Sequence, residues 1–223
     1  MLTSHLTFAT ESITSEKDPN DPTKVITRIG LGYTEDLTIS GSLAIDPARK
    51  INAKTNIDAS EWRLGGSWLF DFGIVNFNIS RSEYDEGGYK NNYSLGTFLP
   101  LTALGVDTGK WMVFPMAGVN HTTGETFAPT ESNTLQDNIV MQQNTSNGGY
   151  LGVFAIRPIN KHWTALAFTG GGIGSNDYSN VWGGGGVSYK LNAHNSINLF
   201  AFISDDNFGQ VKKLGFSYTY EFK

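Results

Sequence analysis

The sequence holds four histidines, His5, His121, His162 and His194. Hydrolysis at a membrane rim would need one of them beside a nucleophile and an orienting acid. Only His121 has suitable neighbours, in Thr122, Thr123 and Glu125. No G-x-S-x-G occurs, and Gly65-Gly66-Ser67 lies inside an alternating apolar run rather than on a strand-to-helix turn. A polar loop carrying one histidine accounts for this cluster better than a triad, so no catalytic residue is expected. The oxygen-rich groups Asp18, Asn20, Asp21 and Asp205, Asp206, Asn207 could approach Ca²⁺ or Mg²⁺. Neither has EF-hand spacing, and such clusters usually set turns, so no metal site is expected. Gly170-Gly171-Gly172 and Gly183 to Gly186 lack a Walker lysine and a following helix. Strand glycines more plausibly permit coiling of a sheet or leave space beside it. Asp71-Phe72-Gly73 matches a kinase signature by letters only, and no cofactor is expected.

Any chemistry therefore has to come from how the chain is arranged, and its dominant period is two. Leu214, Phe216, Tyr218, Tyr220 and Phe222 alternate with Lys213, Gly215, Ser217, Thr219 and Glu221. One face of such a strand is apolar and the other small or polar, as between lipid and lumen. The same alternation runs through Val25 to Tyr33, Leu37 to Ile45, Trp62 to Phe70 and Val75 to Ile79. A soluble sandwich also alternates, so connection lengths matter. About twelve strands are expected, near 2–12, 24–33, 36–46, 61–70, 74–84, 91–100, 111–120, 149–157, 162–170, 181–190, 196–204 and 211–222, with about ten as the alternative count. Thr34-Glu35, Asp71-Phe72-Gly73 and Ile159-Asn160-Lys161 read as short turns on one side. Stretches near Glu11 to Pro22, Asp46 to Ser60 and His121 to Asn147 read as longer loops on the other, with both termini on the short-turn side.

Composition agrees. Charged residues make up 17% of the chain, aromatics 13%, and there are 26 glycines, which suits a large apolar outer surface with tight turns. The net charge of −5 excludes a general nucleic-acid binder, which needs a basic stripe. With no cysteine, neither a disulfide framework nor a thiolate metal site can form. No stretch approaches the ~20 apolar residues of a membrane helix. Met1-Leu2-Thr3-Ser4-His5 has neither a basic n-region nor an apolar h-region, so a start methionine is expected to stand where a secretory signal would be.

The ending Gly215-Phe216-Ser217-Tyr218-Thr219-Tyr220-Glu221-Phe222 resembles the carboxy-terminal strand of Gram-negative outer-membrane β-barrel proteins, which closes on an aromatic residue; Lys223 after Phe222 departs from that pattern. The resemblance implies one closed antiparallel transmembrane β-barrel domain over residues 1–223. It also implies outer-membrane lipid and lipopolysaccharide around the barrel, and the barrel-assembly machinery as a partner during biogenesis. Leu214, Phe216, Tyr218, Leu64, Trp68, Phe77 and Ile79 are then expected to face lipid. Trp62, Trp68, Tyr93, Trp111, Trp163, Tyr189 and Tyr220 are expected to form interfacial girdles.

With aromatics assigned to lipid, Glu11, Arg28, Glu61, Arg63 and Lys213 point inward, mostly in the outer half of the wall. They form either a salt-bridged plug or a charged constriction, with Arg28 and Arg63 facing Glu11 and Glu61 near the mouth. The other wall is apolar on both faces, which lines part of the lumen with Phe114, Met116, Phe168, Phe200 and Phe202. That surface is either a track for an apolar solute or a core packed against the loop at 121–147. The leading expectation is a narrow channel for small solutes. The alternative is a non-conducting barrel whose loops bind a partner, and a lipid-modifying enzyme is disfavoured by the missing triad.

Overall fold

The structure, a computed structural model, describes residues 17–84, 87–128 and 140–222. Twelve strands follow in chain order: β1 (Arg28–Tyr33), β2 (Leu37–Ala44), β3 (Arg49–Asn56), β4 (Glu61–Phe70), β5 (Gly73–Glu83), β6 (Tyr89–Phe98), β7 (Met112–Ala128), β8 (Val140–Pro158), β9 (Trp163–Gly174), β10 (Ser179–Lys190), β11 (Asn195–Asp206) and β12 (Gly209–Glu221). Each pairs antiparallel with its neighbours in sequence, and β1 pairs with β12 to close the barrel. Because Arg28 lies opposite Glu221, the start of β1 and the end of β12 share one rim, called here the terminal rim. The other is the distal rim.

The barrel is built inside out relative to a soluble domain. Among the described residues only Ile74, Phe114, Ile156, Tyr178 and Phe208 are buried hydrophobic side chains, whereas Leu214 is 68% and Phe216 55% exposed. Large apolar side chains this open to the surroundings need a lipid environment, because water would penalise the contiguous patch they make. The face follows from parity: cross-strand partners share a side of the sheet. Leu64 pairs with Ile79 and Ile79 with Tyr93, so all three point outward with Trp68, Phe216 and Tyr218. Phe77 is outward too, but half-buried, since it lies over Gly66 with its ring 5.9 Å from that of Trp68. Aromatic contacts gather at the terminal rim: Trp163 on Tyr189 at 4.8 Å, Tyr220 on Phe222 at 4.9 Å, and Arg157 over Trp111 at 5.6 Å. There His162 and His194 each hold a strand-end carbonyl through Nδ1, those of Lys190 and Glu221, at 2.9 and 3.0 Å.

The strand number agrees with expectation, but two members differ. The expected strand at 2–12 lies outside the described residues, and the ring closes between β1 and β12 without it. The expected loop from Asp46 to Ser60 instead contains β3, whose outward face carries only one large apolar residue, Ile51, so its hydrophobic period was faint. Asp46 organises the turn before it, with Oδ1 accepting from the amides of Ala48 and Arg49 and Oδ2 pairing with Arg49 at 2.5 Å. These hydrogen bonds hold its carboxyl below the usual carboxylate range. One consequence is that β1 runs away from the terminal rim, so Thr34-Glu35 lies on the distal rim and not beside Asp71-Phe72. Another correction concerns the expected loop at 121–147. Most of it continues β7 and β8, with His121 opposite Asn147 and Glu125 opposite Gln143. From His121 to Glu125 and from Gln143 to Asn147 this extension is polar on its outward face, as a hairpin standing clear of the apolar belt should be.

Candidate functional site: a lumen with two unlike walls

In a ring of twelve, β3 and β9 stand six places apart and face each other, as do β4 and β10, and β5 and β11. The inward side chains of β3 are Lys50, Asn52, Lys54 and Asn56. Those of β9 are Thr164, Leu166 and Phe168, then glycines. On β4 and β5 the inward set is Glu61, Arg63, Ser67, Asn76, Asn78, Ser80 and Ser82, with Leu69 and Ile74 at the terminal end, against Trp182, Phe200 and Phe202 as the large inward side chains of β10 and β11. One half of the lumen is therefore cationic and amide-rich, and the other is aromatic.

The aromatic half forms one continuous surface. Phe114 and Phe154 are 6.1 Å apart, Phe154 lies opposite Phe168, and Phe168 is 6.1 Å from Phe202 and 6.3 Å from Trp182. Glycines opposite these rings let them lie flat against the wall. A Cβ on Gly170 would come within 2.3 Å of the Trp182 ring, and one on Gly184 within 2.6 Å of Phe168. The rings thus present faces rather than protruding edges, which leaves width in the lumen.

Toward the distal rim the two walls are tied together. Lys213, the cross-strand neighbour of Phe202, forms an ion pair with Glu61 across the lumen. Arg63 lies two residues from Glu61 and directly opposite Lys54. Arg63 and Lys54 point inward, make no ion pair or side-chain hydrogen bond among the described residues, and yet are exposed. Free space in the lumen at their level leaves both cations uncovered, which a hydrated lumen tolerates and a dry one would not. A second trans-lumen pair joins Lys90 to Asp206, with Phe208 beneath the ammonium at 5.4 Å. Tyr178 donates toward Asp206 at 3.4 Å, and its hydroxyl is pushed up to about 12, first by burial and then by the Asp206 charge.

At the terminal rim the chain before β1 crosses the lumen. Residues 17–27 carry two consecutive turns, in which Asp18 Oδ1 accepts from the Asn20 amide and Asp21 Oδ1 from the Thr23 amide, each at 2.8 Å. The segment is fastened to opposite walls. Thr164 of β9 donates to Asp18 at 2.5 Å, while Lys50 of β3 donates to the Pro22 and Lys24 carbonyls at 3.3 and 2.6 Å. Lys24 pairs with Glu221 at 2.7 Å, and Arg28 donates to the Pro19 carbonyl at 3.1 Å. A cavity of about 400 Å³ remains beside it, lined by Asp21, Leu69, Pro100, Met112 and Phe114.

The residues singled out by sequence are thus distributed as follows. Glu61, Arg63 and Lys213 come together near the distal rim. Arg28 faces inward but stands at the opposite rim beside Glu221, because β1 runs in the reverse direction to that expected. Glu11 lies outside the described residues. Phe114, Met116, Phe168, Phe200 and Phe202 all face the lumen. The group around His121 does not converge: His121 faces outward and bonds Asn147 at 2.8 Å, while Thr122 faces inward, fully buried, and accepts from Asn92. Asp18 and Asp21 belong to residues 17–27, the strap across the terminal mouth, and Asp206 to its ion pair. Sequence reasoning missed Lys54 and Trp182. The signal for the first was a polar period of two, Lys50, Asn52, Lys54, Asn56; for the second it was a tryptophan in phase with Gly184 and Gly186 on its own strand.

No family model matches this sequence, and no curated protein matches it. Solved structures do. The β domain of the Bordetella autotransporter BrkA is 14% identical, with 89% of this chain and 100% of that one covered and a TM-score of 0.52. The translocator domain of the autotransporter NalP from Neisseria meningitidis is 13% identical over 88% and 86% of the two chains, again at 0.52. The NanC porin is 11% identical over 88% and 99%, at 0.46. At these identities the likeness concerns the fold, and the chain has the closed antiparallel fold of Gram-negative outer-membrane β-barrels.

Proposed function

We propose that this chain is a narrow channel of a Gram-negative outer membrane through which small solutes diffuse. The observation that carries this reading is the pair Lys54 and Arg63, inward, exposed, and without an ion-pair partner among the described residues. A closed plug would leave two like charges uncompensated in a packed interior, at a cost of several kcal/mol. In a hydrated passage the same charges are tolerated and bias the local ion population toward anions. The outward belt would meet outer-membrane lipid and lipopolysaccharide. The terminal rim would lie on the periplasmic side, and the β12 strand would engage the barrel-assembly machinery.

A specific observation favours a second reading. Residues 17–27 span the terminal mouth and are fastened on both sides. A barrel held shut there would serve its β7–β8 extension as a partner-binding surface instead. Recordings on the purified protein in planar bilayers separate the two. Anion-selective steps are expected, and a silent barrel, correctly folded by circular dichroism, would overturn the channel.

A further inference from the structure

The unlike walls meet at one level of the lumen. Phe202 pairs with Lys213, Lys213 reaches Glu61, and Glu61 adjoins Arg63 and Lys54. A solute at this level has flat aromatic faces on one side and, on the other, two cations without an ion-pair partner among the described residues. For twelve strands tilted near 40°, the backbone diameter is about 24 Å. With rings flat on one wall and an extended Arg63 on the other, about 10 Å remains, enough for a single small molecule touching both.

Resting on the channel reading, we infer that the preferred solutes are small carboxylates carrying a flat apolar ring, which pass with the ring against Phe168, Phe202 and Trp182 and the carboxylate toward Arg63 and Lys54. Each half follows from chemistry on its wall. The planar guanidinium of Arg63 offers a bidentate match to a carboxylate that a spherical inorganic anion cannot use. Glu61 is already held by Lys213, so it does not compete fully for that guanidinium. The inward neighbours beside Phe168 are Leu166, Gly170, Gly184 and Phe154, which offer no side-chain hydroxyl or amide, and Ser204 comes only beyond Phe202; a ring rich in hydroxyls would lose hydrogen bonds to water against Phe168, whereas an apolar ring loses none. On the channel reading the site lies in a hydrated lumen on the solute's path, which keeps binding weak enough for release.

The test is the chloride current through single channels of the full chain in planar bilayers, titrated with benzoate, glucuronate and acetate. Benzoate is expected to reduce the current by half at a concentration at least about tenfold below acetate or glucuronate. With Phe168→Leu and Phe202→Leu together, apolar character persists but the flat faces are lost, and benzoate should fall to within about threefold of acetate. Lys54→Gln with Arg63→Gln should abolish the block by benzoate without closing the channel. Equal block of the parent by benzoate and acetate would overturn the inference while leaving the channel standing. Block by glucuronate as tight as by benzoate would overturn the apolar ring and point to hydroxylated acids. A parent with no current would instead end the channel reading itself. The comparison of three acids on the parent needs no variant, so it holds whether or not the variants fold.

Discussion

The lumen of this barrel is lined by two walls that solve the same geometric problem with opposite chemistry. From β1 to β6 the inward positions carry Arg28, Lys50, Lys54, Arg63 and a run of asparagines and serines, with large apolar side chains inward only at the terminal end, in Leu69, Ile74 and Phe98. From β7 to β11 the inward positions near the terminal half carry Phe114, Phe154, Phe168 and Phe200, so both faces are apolar. Strand pairing and register are equally regular on both sides. Backbone hydrogen bonding, which every membrane-spanning strand must satisfy internally, therefore places no demand on what fills the lumen. The lumen chemistry is free to differ around the ring, and here it is divided in two.

The largest expected effect tests what the two walls share, an outward face in lipid. Phe216→Arg should cost ~2–4 kcal/mol of barrel stability, while Ser217→Arg, one residue along and facing the lumen, should cost less than ~1 kcal/mol. Unfolding titrations in vesicles would check this, and equal losses would mean the faces are misassigned. Next comes the division itself. Phe168→Ala removes a half-buried ring from the aromatic surface and should cost about 2 kcal/mol, below the range for a fully buried ring, whereas Asn78→Ala on the polar wall should stay within ~0.5 kcal/mol. Matching losses would show that the polar wall is packed rather than hydrated.

A smaller effect is expected at the strap. Lys24→Ala strands the Glu221 carboxylate, whose side chain is only 5% exposed, and should cost about 1–2 kcal/mol, since water reaches the rim. The informative readout is conductance, which should rise if residues 17–27 obstruct the mouth and stay unchanged if solutes already pass beside them. Lys54→Gln with Arg63→Gln should leave stability within ~0.5 kcal/mol but lower the anion-to-cation permeability ratio several-fold, measured from reversal potentials in a salt gradient. The mildest effect belongs to alkaline pH. Tyr178 keeps its proton in the folded barrel to about 12 against 10.0 unperturbed. Its contribution is in place below pH 10 and is lost as pH rises toward 12, because the unfolded chain releases the proton first. Phenolate absorbance of the parent against Tyr178→Phe should show one tyrosine titrating late.

Legibility in the sequence follows the same division. On β4 and β12, lumen residues are small or polar and lipid residues are aromatic, so Trp62 to Phe70 and Leu214 to Phe222 announce strand, face and membrane together. On β3 the lumen face is polar and the outward face nearly featureless, Arg49, Ile51, Ala53 and Thr55, so the segment passed for a loop. The inward ring stack from Phe114 to Phe202 was visible as a second apolar face, but its flatness against Gly170 and Gly184 was not, because that depends on cross-strand register.

The sequence by itself determined that this chain forms a transmembrane antiparallel barrel, since a period of two with an aromatic outward set is a local property of each strand. It determined equally that Arg63, Glu61 and Lys213 share the inward face, because parity is carried along each strand. Only the tertiary structure decided which of these charges meet. Strand direction depends on counting every strand between two residues. The faint β3, and a first strand expected ahead of β1, changed that count and sent Arg28 to the terminal rim, away from Arg63. Contacts across the lumen, Lys213 with Glu61, Lys90 with Asp206 and Asp18 with Thr164, join residues 116 to 152 positions apart. No local pattern encodes such distances; ring closure does.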